Sequence, residues 1–230
     1  MIAVNERDTL AALEEAIEGV RGAVRAACER SGRLPGEVRL IGVTKGVAAE
    51  VVALAARAGL EEFGENYVQE LVGKRPSARD ATWHFIGRLQ RNKVPRVLET
   101  ADVVHTLEPG AATERLARLG AEGGRRPDCL IEVDFTGHRV GAAPPEVEPL
   151  ADDLQGSGVL LRGLMTIAPQ HEDPRRSFSA LRDLRDRLAG RFDGPGELSM
   201  GMSADLEAAV EEGATMVRVG TAIFGPRARR

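Results

Sequence analysis

From residue 7 to residue 31 the apolar positions fall at Leu10, Leu13, Ile17, Val20, Val24 and Ala27. Steps of three and four place them on one face, which predicts an amphipathic helix. Gly32 and Pro35 end it. Beyond that point the pattern changes. Short aliphatic and β-branched runs alternate with stretches of helical spacing. The runs at 38–44, 61–65, 83–87, 102–106, 129–135, 159–167, 197–201 and 216–220 predict eight strands. The stretches 47–59, 66–74, 90–99, 110–120, 145–155, 173–190 and 203–213 predict seven helices between them.

A strand followed each time by a helix makes neighbouring strands parallel, because the helix returns the chain to the same end of the sheet. Eight such units in 230 residues predict an α/β fold of one particular kind, a single (β/α)8 TIM barrel with an additional N-terminal helix. A doubly wound open sheet is the alternative. The expected layout is one domain over 1–230, with the helix in 1–33 and the barrel in 38–225. A barrel carries its chemistry at the carboxyl ends of its strands, and it binds phosphate after strands seven and eight.

Composition narrows the function. Net charge is −4, which gives no support to nucleic-acid binding. No apolar run approaches the ~18 residues of a membrane span. The early charges of MIAVNERDTLAALEEA leave no room for a signal peptide. Cys28 and Cys129 are far apart and without paired spacing, as expected of two reduced thiols in a cytoplasmic protein. Aromatic residues are only 3%, so the core must be aliphatic. No histidine, cysteine or carboxylate cluster has metal-ligand spacing, so no metal is expected. Arg227, Arg229 and Arg230 read as a solvated terminus, and the charges of 175–191 as a solvated helix face.

The strand ends hold the candidate chemistry. Strand one, VRLIGVT, delivers Lys45 to its tip. After strand seven, Ser203 reads as the N-cap of a helix, with backbone N–H groups suited to an anion. After strand eight, Gly220 permits close backbone approach and Thr221 adds a hydroxyl. In a closed barrel strand eight lies beside strand one, so an amine and a phosphate cup share one rim. That suits a carbonyl compound bearing a phosphate, either pyridoxal phosphate or a phosphosugar. An ordinary helix cap and tight turn account for the same residues. Arg218 shares a face with Gly220. Against a pyridine nitrogen it would keep that nitrogen unprotonated, and an interior salt bridge is the plainer role.

Five blocks in order carry a family resemblance: VTKG (43–46), FGENYVQE (63–70), WHFIGRLQRNK (83–93), GLMTIAP (163–169) and SMGMSADLEAAVEEGATMVRVGTAIFG (199–225). Over about residues 10–225 the chain resembles the pyridoxal phosphate homeostasis proteins, relatives of the alanine racemase barrel domain. The resemblance implies pyridoxal 5'-phosphate as cofactor, joined as an aldimine to Lys45. It implies phosphate-holding roles for Ser203, Gly220 and Thr221, and places Arg218 at the pyridine nitrogen. Asn66 falls in the pocket-lining block, and His84 and Met165 are expected as further walls. The chain departs from the family pattern at Thr44 and Gly46, at Arg88 after strand three, and at Arg139 where a lysine is usual.

The resemblance leaves a cofactor carrier and an amino-acid racemase to separate. Racemisation needs a proton-transfer group on each face of the substrate. In the resembling racemases the second group is a tyrosine from another domain. This chain stops at Arg230, and its one tyrosine, Tyr67, lies after strand two. The expected function is therefore a non-catalytic carrier acting in vitamin B6 homeostasis, with PLP-dependent apo-enzymes as candidate recipients and a monomer as the expected state. His105, His138 and His171 read as a core histidine and two loop residues.

Overall fold

A computed structural model describes residues 6–226. The chain runs α1 (Glu6–Ser31), β1 (Arg39–Val43), α2 (Ala49–Arg57), β2 (Glu62–Glu65), α3 (Val68–Lys74), β3 (Thr82–Phe85), α4 (Val94–Thr100), β4 (Val103–Leu107) and α5 (Ala111–Ala121). It continues β5 (Asp128–Glu132), α6 (Pro144–Leu154), β6 (Leu160–Met165), α7 (Pro174–Arg187), β7 (Glu197–Ser199), α8 (Leu206–Glu211), β8 (Met216–Val219) and α9 (Thr221–Phe224). The strands pair in sequence order, all parallel, and β8 closes on β1. The architecture is the (β/α)8 barrel that the alternation predicts, and the doubly wound alternative falls because the sheet has no edge.

Period two sorts the strand residues. On β8, Val217 and Val219 join the shell between sheet and helices, while Met216 packs inside with Ile41, Val103, Leu130 and Met165. The outer shell is mostly aliphatic, and within it Phe63 stacks on Trp83 at 5.2 Å. α1 buries Leu13, Ile17, Val20 and Val24 against α2, α8 and α9, so it covers the helices flanking the β8–β1 seam.

Several strands end earlier than the apolar runs suggest. β6 stops at Met165 and β5 at Glu132, not at 167 and 135. The apolar residues beyond, such as Val133 and Ala168, are buried in rim loops, which hydropathy alone cannot tell from strand. Ser203 is not a helix N-cap. Gly201 has φ +93°, and the Asp205 carboxylate accepts from Met202 N at 2.6 Å. That turn delays α8 to Leu206 and makes Asp205 its N-cap residue. The charges of α7 and the residues after it are also more than a solvated face. Arg175 and Arg182 pair with Glu211 and Glu212 on and just after α8, and Arg191 pairs with Glu148 and Asp152 on α6.

Candidate functional site

The β1–β8 seam brings three of the predicted residues, Lys45, Gly220 and Thr221, together. Gly42 lies opposite Val219 in the register, so the two chain ends leave the barrel side by side. Lys45 from one and Gly220 and Thr221 from the other line one cavity of about 480 Å³. Gly220 owes its identity to close approach. A Cβ there would stand 3.3 Å from the Val43 carbonyl oxygen, so the seam would have to give by a few tenths of an ångström. Ser203 joins through a hydrogen bond, its hydroxyl accepting from Ala222 N at 3.4 Å. The turn after β7 and the start of α9 therefore face each other.

Lys45 is half-buried, and the backbone on both sides of it is tied down. Lys74 donates to the Thr44 carbonyl at 2.7 Å, and the Glu70 carboxylate accepts from Gly46 N at 2.8 Å. Lys74 also bridges Glu70 at 2.5 Å and the fully buried Glu65 at 2.7 Å. Thr44 adds a hydroxyl bond to Glu65 at 2.7 Å. Burial raises the Glu65 pKa, and the bonds from Lys74 and Thr44 oppose the rise. Gly46 takes φ +76°, which suits the glycine that stands there. Strand-end residues alone do not reveal this frame. A signal is nonetheless present in the chain: Lys74 falls three places after Leu71, on the apolar face of α3, one turn after Glu70.

Arg218 points into the barrel mouth, only 4% exposed. One terminal nitrogen donates to Ser199 Oγ and the other to the Thr166 carbonyl. Two of its five N–H groups are thus used, and three remain for a ligand. Burial pulls its pKa down to about 10, and Glu132 opposes that. Glu132, on the far side of the barrel, is pushed up to about 7, first by burial and then by Glu108 and Asp134 against Arg218 and Arg139. Burial would also raise Asp134, but bonds from Thr136 and from the backbone of the 136–139 turn outweigh it and lower the pKa.

The other expected residues sit as follows. Asn66 is half-buried, and its Oδ1 is buried without a hydrogen-bond partner. Its backbone is pinned by Gly87, where a Cβ would lie 1.9 Å from Asn66 O. Met165 is 1% exposed and lies beside Ser199 in the register. His84 is fully buried and bonds to His105, so it connects to Arg218 only through other side chains. Arg88 stands out at the rim, 3.3 Å from Glu108. Tyr67 is 61% exposed.

The ends of β1, β2 and β8 thus carry a half-buried lysine, a buried Asn66 oxygen with no partner and an arginine with unused donors. These groups fit a flat, polar, anionic ligand with a carbonyl carbon. The sequence profile of the alanine racemase N-terminal domain matches residues 21–228. A curated relative from Aquifex aeolicus, named pyridoxal phosphate homeostasis protein, is 38% identical over 93% of this chain and 97% of its own. The chain belongs to the pyridoxal phosphate homeostasis protein family. A second family member, from Pseudomonas aeruginosa, is 38% identical over 95% of this chain and 97% of its own. The solved structure of PipY from Synechococcus elongatus PCC7942, with PLP bound, matches with a TM-score of 0.77 at 37% identity. It covers 88% of this chain and 99% of that one.

Proposed function

We propose that this chain binds pyridoxal 5'-phosphate at the carboxyl end of its barrel and holds it reversibly, as a carrier in the cell's vitamin B6 balance. The observation that carries the reading is the β1–β8 seam, where Lys45, Gly220 and Thr221 line one cavity and Ser203 reaches Ala222 N. When bound, the cofactor supplies an aldehyde that condenses with an amine, losing water, and a ring that withdraws electrons. Lys45 provides the amine, and the Lys74–Glu70 pair orients the loop that carries it. Ser203, Gly220 and Thr221 hold the phosphate with hydroxyl and backbone N–H groups. Arg218 would face the ring nitrogen, Asn66 would offer its unpartnered oxygen, and Met165 would form part of the wall.

The carrier role rests on the proton count. Lys45 can serve one face of a bound amino acid, while Tyr67 projects into solvent. Apo-enzymes that need the cofactor are the recipients we expect.

Purified protein mixed with the cofactor should turn yellow, and borohydride should fix the cofactor to Lys45, located by peptide mapping. Lys45→Ala should lose the band. A wild type that stays colourless with added cofactor refutes the assignment. Loss of optical rotation from L-alanine, faster than with free cofactor, would replace the carrier with a racemase.

A further inference from the structure

Two fully buried histidines inside the barrel use their ring nitrogens end to end. His84 Nδ1 lies 2.8 Å from His105 Nε2, and His105 Nδ1 lies 2.9 Å from Ser199 Oγ. Arg218 then donates to that same Ser199 Oγ at 2.5 Å. At the other end, His84 Nε2 is 2.9 Å from a Glu62 carboxylate oxygen. Neither atom counts as hydrogen-bonded, so this last contact is electrostatic and out of line. Glu62 in turn lies 3.9 Å from Arg39, at the amino end of the barrel.

The two ends of this chain, Arg218 and Glu62, set where the protons are. Arginine only donates, so Ser199 Oγ accepts from it. A hydroxyl oxygen can accept twice, so the other end decides. The Glu62 carboxylate beside His84 Nε2 favours a proton there, which leaves His84 Nδ1 to accept from His105 and His105 Nδ1 to accept the serine hydrogen. His105 must carry its own proton on Nε2 and give it to His84 Nδ1. The three hydrogen bonds run the same way, from the Arg218 cation toward the Glu62 side of the barrel, and such chains polarise one another. A neutral His105 is what the setting favours. Burial holds the His105 pKa well below its usual value, and the charges of Arg218 and Arg39 add to this.

We propose that Ser199, His105 and His84 are positioning residues that lock the Arg218 guanidinium against the ring nitrogen of the bound cofactor, a role that rests on the pyridoxal phosphate reading above. Arginine has a long side chain with many rotamers. Here one terminal nitrogen is fixed by Ser199 and the other by the Thr166 carbonyl, which sets the plane of the fork. Ser199 can hold its end only while His105 accepts the serine hydrogen, and His105 is oriented in turn by His84. A cation fixed at the ring nitrogen keeps it unprotonated. If the fork swings away, that nitrogen takes up a proton more readily, and the ring becomes a stronger electron sink.

The full chain is loaded with pyridoxal phosphate isotope-labelled at the ring nitrogen, and that nuclear resonance is followed. The wild type should show the unprotonated position. Ser199→Ala and His105→Leu should shift the resonance toward the protonated position. His105→Asn puts a carbonyl where Nδ1 stood and can still accept from Ser199, so it should stay near wild type. Thermal melts check that each variant folds, and Ser199→Ala carries the test if His105→Leu does not. An unmoved resonance in folded Ser199→Ala overturns the proposal, and so does an equal shift in His105→Leu and His105→Asn. Arg218→Leu separates this role from the cofactor reading. If that variant leaves the resonance in place, or if the wild type takes up no labelled cofactor, the reading fails and the relay falls with it.

Discussion

Between sheet and helices the packing is aliphatic, with Trp83, Phe63 and Phe178 its largest members. Inside the barrel, five buried apolar residues share the space with His84, His105, Ser199, Arg218 and Glu132. A barrel interior is more usually filled by layers of bulky branched side chains. The two regions lie on opposite faces of the same strands and serve different ends. The outer shell supplies stability through area removed from water. The interior gives up part of that gain to hold polar groups in fixed orientation beneath the mouth. Lys74 and Glu65 belong to the outer side yet behave like the interior, a buried ion pair whose value is orientation of the Lys45 loop.

The shell gives the first and largest test of this contrast. Trp83 is fully buried, stacked on Phe63, and its indole N–H donates to Ala78 O at 3.0 Å. Trp83→Ala should cost about 4 kcal/mol in urea unfolding, from lost transfer energy plus a cavity. A loss below about 1 kcal/mol would mean that the shell collapses around the gap and is not the close-packed region described.

Lys74→Met should come next, at about 3 kcal/mol, because it leaves Glu65 buried without its cation. Glu65→Gln in the same chain should recover most of the loss, since no buried charge then remains. The double variant should still bind the cofactor more weakly, as the Thr44 carbonyl no longer has the Lys74 amine to accept from. Full affinity in the double variant would show that the Lys45 loop holds itself.

How far the sequence could be read follows the same division. Alternation along the chain shows which residues leave the strand ends, so Lys45, Gly220 and Thr221 were legible, and ring closure set them side by side. Period two also put Arg218 inward. It says nothing about which inward groups meet, because partners such as His105 and Ser199 are 94 positions apart. His84 could be read as a pocket wall for that reason, although its contacts are to His105 and Glu62. Ser203 looked like a cap because its composition is that of a cap. The turn made by Gly201 and Asp205 moved the helix start, a tertiary choice that local propensity does not contain.

Glu132 offers a smaller effect with a definite pH signature. Its folded pKa of about 7 lies above the ordinary glutamate value of about 4.3. The fold therefore disfavours its ionised form. The cost is absent below the ordinary value, grows as pH rises between the two, and is complete above the folded value. Each pH step of one between those values is worth roughly 1.4 kcal/mol, the attraction to Arg218 being already contained in the folded value, and burying the replacing amide takes back part of the gain. Glu132→Gln should therefore stabilise the protein by about 2 kcal/mol at a pH above 7. Near the acid end of the range it should change nothing. A gain independent of pH would come from packing instead and would remove Glu132 from the interior's electrostatics.

The smallest effect lies outside both regions. Arg96 and Glu99 pair at 2.8 Å on α4, with both side chains more than half exposed. Arg96→Ala should move stability by less than about 0.5 kcal/mol, because water and salt screen such a pair. The result matters as a baseline. If this exposed pair cost as much as Lys74→Met, the larger loss there could not be assigned to burial. Burial would then no longer explain why the interior and the Lys45 frame give up stability for orientation.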